Sequence, residues 1–338
     1  MREDPGIDPA AITACLREEY GIAIATVDYL PLGHDFNAAV YAARAQDGTP
    51  YFFKVRFGPV FEPGLEVPRA LRDRGVSNVL APLRTRSGVL WAPLRDSPGY
   101  TVVLYPFIQG ENAVAAGMTA DQWRAFGASL RAVHDSGLGE AFRDRLRVED
   151  FALPAAAVVR RMQTVAEEQR FASPAGVHLA AFMRNHAERI RAVLSRAEAL
   201  GRQLQRTAFD LVLCHTDIHA ANILVAGNGI TLIDWDGPMV APRERDLLFV
   251  VGSRIARAVE PQEEGWFFEG YGVVEIDPDA LVYYRYERII EVLGEFGQSV
   301  FLAPDLGEEV RMGEAELAMS FFAPGGDIGR AERVVLPW

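Results

Sequence analysis

The sequence predicts an α+β protein of two lobes, with a small antiparallel β-sheet in front and a mainly helical body behind. Three observations carry this expectation. Strand-like texture fills the stretch from Val27 to Phe107, broken by turn residues. Helical periodicity takes over after Gln109-Gly110. A short island of strand and loop, residues 211–234, then interrupts the helices. The break near residue 108 separates a front lobe, 1–108, from a back lobe, 109–338. A ligand cleft belongs between two such lobes.

The elements follow in order. Asp8-Pro9 supplies an N-cap acceptor and a proline at the first helical position, and Gly21 closes that helix. Ile12, Leu16 and Tyr20 repeat on one of its faces. The runs Ala39 to Ala43 and Tyr51 to Phe57 flank Asp47-Gly48, a hairpin turn signal. A short helix is expected over Leu65 to Arg74, closed by Gly75. Strands around Val89-Trp91 and Tyr100-Phe107 would complete the sheet. Thr119-Ala120-Asp121-Gln122 reads as a capping box, opening a helix with Trp123, Phe126, Leu130 and Val133 on one face. Alanine- and arginine-rich helices are expected over roughly 154–172 and 177–206. In the island, one apolar strand leads into a polar loop and another leads out. Gly227-Asn228-Gly229 turns the chain, and a third strand, Ile230 to Asp236, ends in carboxylates.

Composition narrows the function classes. With 338 residues, 49% hydrophobic and 24% charged, the chain can bury a large core and is neither disordered nor fibrous. A formal net charge of −12 repels nucleic-acid backbones and favours a small cationic partner. Cys15 and Cys214 are too few for a disulfide framework and read as reduced thiols of a cytoplasmic protein. Met1-Arg2-Glu3-Asp4-Pro5 lacks a signal-peptide pattern, and no apolar run reaches membrane-spanning length. A soluble monomer or weak dimer is expected, with no membrane partner.

Of the 34 cationic Lys and Arg residues only Lys54 is lysine, set in the apolar run Tyr51-Phe52-Phe53-Lys54-Val55. A compact point charge on a flexible stem suits contact with phosphate oxygens from a strand. The plainer reading is a snorkelling lysine on an edge strand. The island adds Asp217, Asn222, Asp234 and Asp236 at strand ends. Phosphoryl transfer needs such a set: a carboxylate to accept the attacking hydroxyl's proton, a carboxylate and an amide oxygen for Mg²⁺, and a lysine for the nucleotide phosphates. Asp217 to Asn222 has the D-x-x-x-x-N spacing of the protein-kinase loop. A zinc cluster of His215, Asp217 and His219 beside Cys214 is the competing reading. It is disfavoured because the flanking runs are strand formers, where that spacing does not align the two rings. His219 reads equally as a substrate-side or a packing residue.

The segments Cys214 to Ala220, Ile233-Asp234-Trp235-Asp236, Pro238 to Leu247, Phe268-Glu269-Gly270-Tyr271-Gly272 and Tyr283 to Arg288 carry a resemblance. The chain is similar to the aminoglycoside phosphotransferase and choline kinase-like family, which has the protein-kinase fold. The resemblance implies a bilobal protein-kinase-like fold using ATP and Mg²⁺. The acceptor would be a cationic aminocyclitol or aminoglycoside, spectinomycin first. Choline, homoserine, methylthioribose or a macrolide are alternatives, as is a nucleotide-binding protein without catalysis. Carried over by position, Asp217 is the catalytic base, Asn222 and Asp234 hold magnesium, Lys54 holds the α- and β-phosphates, and His215 braces the loop. Tyr105-Pro106-Phe107-Ile108 is the hinge that meets adenine. Leu32-Gly33-His34-Asp35-Phe36-Asn37 covers the phosphates, with Gly33 in place of a full G-x-G-x-x-G. Glu66 is chosen over Glu62 as the partner of Lys54, although Pro68 limits the helix before it.

Other polar residues have plainer readings. Asp236 either helps the metal or accepts backbone hydrogen bonds. Asp246 reads as a structural carboxylate near a helix start, and His134 as a packing histidine or one that meets the helix dipole at a C-terminal end. The stretch 260–316 holds 15 acidic residues against three arginines, most of them expected on solvated faces. A subset facing the cleft would suit an ammonium-bearing substrate. The aromatics of 266–286 are mainly core by expectation.

Overall fold

The computed structural model describes residues 5–31, 38–303, 306–323 and 327–331. The loop 32–37 expected to cover the phosphates, Gly33 included, lies outside the described residues. Two compact units emerge. The first comprises Met1–Arg147, His215–Met239 and Trp266–Gly272; the second comprises Val148–Cys214, Val240–Gly265 and Val273–Trp338.

In the first unit, helix α1 (Pro9–Glu19) starts where expected, with the Asp8 carboxylate accepting from the Ala10 amide at 2.8 Å. A five-stranded antiparallel sheet follows: β1 (Ile24–Leu30), β2 (Ala38–Ala45), β3 (Pro50–Phe57), then β4 (Ala92–Pro93) and β5 (Tyr100–Pro106). Its order is β1-β2-β3-β5-β4. The hairpin joining β2 to β3 turns at Gly48, whose φ of +88° only glycine adopts freely. The Asp47 carboxylate accepts from the Thr49 amide there. Strand β3 is central, so Lys54 faces Val40 on one side and Val103 on the other. The edge-strand reading of Lys54 therefore falls.

Side chains of β3 alternate between two cores. Phe53 and Val55 pack with Tyr41, Val102 and Leu104 against Ile12 and Leu16 of α1. Phe52, on the opposite face, packs with Val103, Tyr105 and Leu65 of helix α2 (Pro63–Asp73). Lys54 and Arg56 share the alternation of Phe52.

Two expectations need correction here. Helix α2 begins at Pro63, and Pro68 lies inside it. That ring has no N–H for the preceding turn, yet it is buried and the helix continues. The strand expected at Val89-Trp91 is instead a tight turn and a loop. The Thr85 amide bonds to the Val89 carbonyl and the Gly88 amide to the Thr85 carbonyl, so pairing starts only at Ala92.

Beyond the sheet come β6 (Glu111–Asn112), α3 (Ala113–Ala116), α4 (Ala120–His134), α5 (Leu138–Ala141) and β7 (Arg147–Val148). The capping box of α4 forms as read, Thr119 and Gln122 each accepting from the other's amide at 3.3 and 2.8 Å. Trp123, Phe126, Leu130 and Val133 are buried together. His134 is indeed a packing residue, its Nδ1 lying 2.6 Å from the Tyr271 hydroxyl.

The second unit holds α6 (Ala155–Glu168), α7 (Pro174–Asn185) and α8 (Ala187–Leu204). The single helix expected over 177–206 is two, parted at His186. Its ring stacks on Phe182 at 4.3 Å and its Nδ1 reaches that residue's carbonyl. Next comes β8 (Leu211–Cys214); the 3-10 turn (Ala220–Asn222), β9 (Ile223–Ala226) and β10 (Gly229–Leu232) that follow in sequence belong to the first unit, at whose end β11 (Met239–Pro242) begins. Helices α9 (Glu244–Leu247), α10 (Pro261–Tyr271), α11 (Pro278–Leu302), α12 (Glu308–Ser320) and α13 (Asp327–Ala331) complete the order.

Within α11, Tyr283, Tyr284 and Tyr286 are fully buried, as the aromatic reading expected. Arg245 of α9 forms an ion pair with buried Glu287 and lies over the Tyr284 ring. Glu287 and Glu264 are thus buried members of the acidic stretch. Asp246 is fully buried in α9. Among the described residues no helix is long and apolar enough to cross a membrane.

Candidate active site

The hairpin β9–β10 is the frame of the site. On one side β9 pairs with β6, and on the other the Leu80 amide donates to the Leu232 carbonyl at 2.9 Å. The approach of β6 is close: a Cβ on Gly110 would lie 2.3 Å from the Val225 carbonyl oxygen. That contact explains the glycine where the sequence changes texture.

Between β8 and β9 the polar loop is held by its own side chains. The Nε2 of buried His215 lies 2.9 Å from the Ile233 carbonyl, and the Asp217 amide donates to His215 Nδ1 at 3.3 Å. A carbonyl can only accept, so Nε2 carries the proton and the ring is the neutral Nε2–H tautomer. His215 thereby ties the loop at 217 to the segment after β10. Asn222 Nδ2 donates to the Asp217 carbonyl at 2.8 Å and to Asp217 Oδ2 at 3.3 Å. His219 Nδ1 accepts from the Ala221 amide, leaving Nε2 to face Asp217 Oδ2 at 3.4 Å. One oxygen of Asp217, Oδ2, is thus addressed by His219 and Asn222, two and five residues further along the loop.

The third strand stops at Leu232, four residues earlier than the sequence suggested. The cause is visible at Asp234, whose φ is +66°, outside extended geometry. Thr216, also a non-glycine residue, has a φ of +77°. A β-branched residue in that region is strained by roughly 1–3 kcal/mol. Its hydroxyl donates to the Gly237 carbonyl at 2.8 Å and helps hold it. The two strained positions lie on the segments that carry Asp217 and Asp236.

Strand β3 meets these carboxylates. Lys54 Nζ lies 2.6 Å from Asp234 Oδ1 and 3.4 Å from Asp236 Oδ2. Arg56 Nη1 lies 2.9 Å from Asp236 Oδ1. Burial alone would pull the Lys54 amine down, but Asp236 and Asp234 outweigh it and hold the ammonium above its ordinary value. Burial would likewise raise the Asp236 carboxyl; Lys54 and Arg56 reverse that and hold it below the usual range. Burial pushes the Tyr105 hydroxyl up to about 12, against the opposing pull of Lys54.

Glu66 is not the partner of Lys54 here. It forms an ion pair with Arg145, and Glu62 lies 3.7 Å from the same guanidinium. The physical reason is competition: Arg145 claims both glutamates while two aspartates take the amine. Tyr105 sits buried in β5, and Phe107 follows the strand as a 40% exposed residue in an irregular stretch. Lys54, Asp217, Asn222 and Asp234 all belong to the first unit. Sequence reading missed Arg56, although its i+2 spacing from Lys54 on a strand was a usable signal, and it left the place of His219 open.

The donor set suits magnesium. Asn222 donates its amide nitrogen to Asp217, so its amide oxygen is the atom of that side chain that could meet a metal, and Asp234 adds a carboxylate. Both are hard oxygen donors of the kind Mg²⁺ takes.

Residues 28–282 match the family described as the phosphotransferase enzyme family (APH). The chain belongs to the phosphotransferase enzyme family. Its structure is similar to that of spectinomycin phosphotransferase, APH(9)-Ia, in complex with ADP and spectinomycin. The TM-score is 0.86 with 30% identity, over 96% of this chain and 98% of that one. Choline kinase LicA from Streptococcus pneumoniae, at 15% identity over 92% of this chain and 98% of that one with a TM-score of 0.54, shares the fold. Protein StrN of Streptomyces griseus is 28% identical over 195 residues, 55% of this chain; the match spans 58% of that protein's length. The antiparallel sheet and helical remainder are the family's protein-kinase-like fold, as expected from the sequence.

Proposed function

We propose that the chain is an ATP- and Mg²⁺-dependent kinase that phosphorylates a hydroxyl of a small cationic aminocyclitol, with spectinomycin the leading acceptor. The carrying observation is the meeting of Lys54 with Asp234 beside the loop that joins Asp217 to Asn222. Similarity to the spectinomycin enzyme and the net charge of −12 support the acceptor class.

In this reading Asp217 accepts the proton of the attacking hydroxyl. The hydroxyl oxygen forms its bond to the γ-phosphorus as the bond to the bridging oxygen breaks, and ADP leaves with that electron pair. Lys54 grips the α- and β-phosphates. Asn222 and Asp234 would hold magnesium, which offsets charge on the phosphates when bound. His215 fixes the loop so that the Asp217 carboxylate keeps its direction. Residues 1–108 act as the nucleotide lobe, with Tyr105 to Ile108 as the adenine-facing hinge; 109–338 carry the catalytic loop and the acceptor.

The test is ADP release by the purified protein with ATP, Mg²⁺ and a panel of spectinomycin, kanamycin and choline. The expected result is spectinomycin-dependent release with a singly phosphorylated product by mass spectrometry. Release equal to the acceptor-free blank for every compound would reject the kinase reading. Transfer to choline alone would reject the acceptor.

A further inference from the structure

Strand β3 brings a second cation to the face that carries Lys54. Arg56 is 25% exposed, and its Nη1 shares Asp236 with the Lys54 amine, each cation taking a different carboxylate oxygen. Residues i and i+2 of a strand stand about 6.7 Å apart on one face. Two cations so spaced can grip different phosphates of one polyphosphate chain. Their charges are balanced here by Asp234 and Asp236. If Asp234 held magnesium, as under the proposed function, a bound phosphate would offer both cations a further anionic partner.

We propose that Arg56 is a second phosphate anchor, binding the nucleotide polyphosphate beside Lys54, with Asp236 holding its guanidinium ready. The assignment rests on the reading of this site as a nucleotide site. A planar guanidinium fork suits phosphate oxygens, and a point charge replaces it only in part. The alternative role is purely local, the neutralisation of Asp236, and the two roles differ in what they do to ligands lacking phosphate.

The experiment titrates adenosine, AMP, ADP and ATP with Mg²⁺ onto wild type, Arg56→Gln and Arg56→Lys by isothermal calorimetry. Arg56→Gln should bind adenosine within about twofold of wild type and lose on the order of tenfold or more for ADP and ATP. The loss should grow with phosphate number, and Arg56→Lys should recover part of it. Unchanged ATP affinity in Arg56→Gln, or an equal loss for adenosine and ATP, would overturn the assignment alone. Wild-type protein that bound none of the four would remove the nucleotide reading and the assignment with it.

Discussion

Lys54 and Asp234 lie 180 residues apart in the chain, yet amine and carboxylate meet at 2.6 Å. The contact joins the centre of the sheet to the end of the β9–β10 hairpin, and it has a measurable consequence. Removing the amine leaves Asp234 without this cation and Asp236 with Arg56. Lys54→Ala should raise the apparent KM for ATP on the order of tenfold or more. Lys54→Arg should not restore it, because a fork does not fit where a point charge reached. Steady-state kinetics over ATP concentration decide this, and an unchanged KM would contradict the role.

Asp217→Asn keeps the size of the side chain and removes the proton acceptor. Turnover should fall roughly 10²- to 10⁴-fold. ADP affinity should stay within about twofold, since the phosphates are held elsewhere. Turnover at the wild-type level would reject Asp217 as the base.

Acid should expose the contribution of Asp236. Its carboxyl is held below the ordinary value of 3.8 in the folded protein. Its stabilisation is therefore complete above that value and disappears as pH falls through the lower folded one. Lys54 runs the opposite way, its contribution intact below 10.5 and lost only in strong alkali. The nucleotide-free protein should thus lose Tm steeply below about pH 4, and Asp236→Asn should lose less over the same interval. Parallel curves in differential scanning fluorimetry would show that Asp236 adds nothing.

Gly110→Ala would drive a methyl group to 2.3 Å from the Val225 carbonyl oxygen, a backbone atom that cannot swing aside. The cost should be roughly 1–3 kcal/mol, read as a lower midpoint in urea. An unaltered midpoint would mean that β6 does not pack on β9 in solution.

Both thiols should be inert in the native state. Burial, aided by Glu19, pushes the Cys15 thiol up to about 11, so at pH 8 only about one molecule in a thousand carries the reactive thiolate there. Burial, with Asp246 adding to it, drives Cys214 upward as well. A disulfide reagent should titrate no thiol within minutes in buffer and two in guanidinium. Fast native labelling would contradict the packing.

Much of this was legible because local chemistry agreed with the fold. Asp8-Pro9, Asp47-Gly48 and the Thr119–Gln122 box each name their own turn, and each formed as read. The spacing of Asp217 and Asn222 marked the loop, while the hydrogen bond from the Asn222 side-chain amide to the Asp217 carbonyl is seen only in the structure. Other features needed tertiary information. Nothing local says that Arg145 would take Glu66, because that pair joins residues from distant elements. The early end of β10 is set by the left-handed Asp234, a conformation that aspartate tolerates but does not announce. The helix break at His186, whose ring stacks on Phe182, is invisible to periodicity.

The solitary lysine has a practical corollary. Besides the α-amino group, Lys54 is the one aliphatic amine in the sequence; held as a paired ammonium, it should be acylated only after the α-amino group, as a second addition. That second step in intact mass would then report whether the position is shielded. Competition between reagent and candidate ligands becomes a direct gauge of occupancy, with no tag, dye or engineered handle.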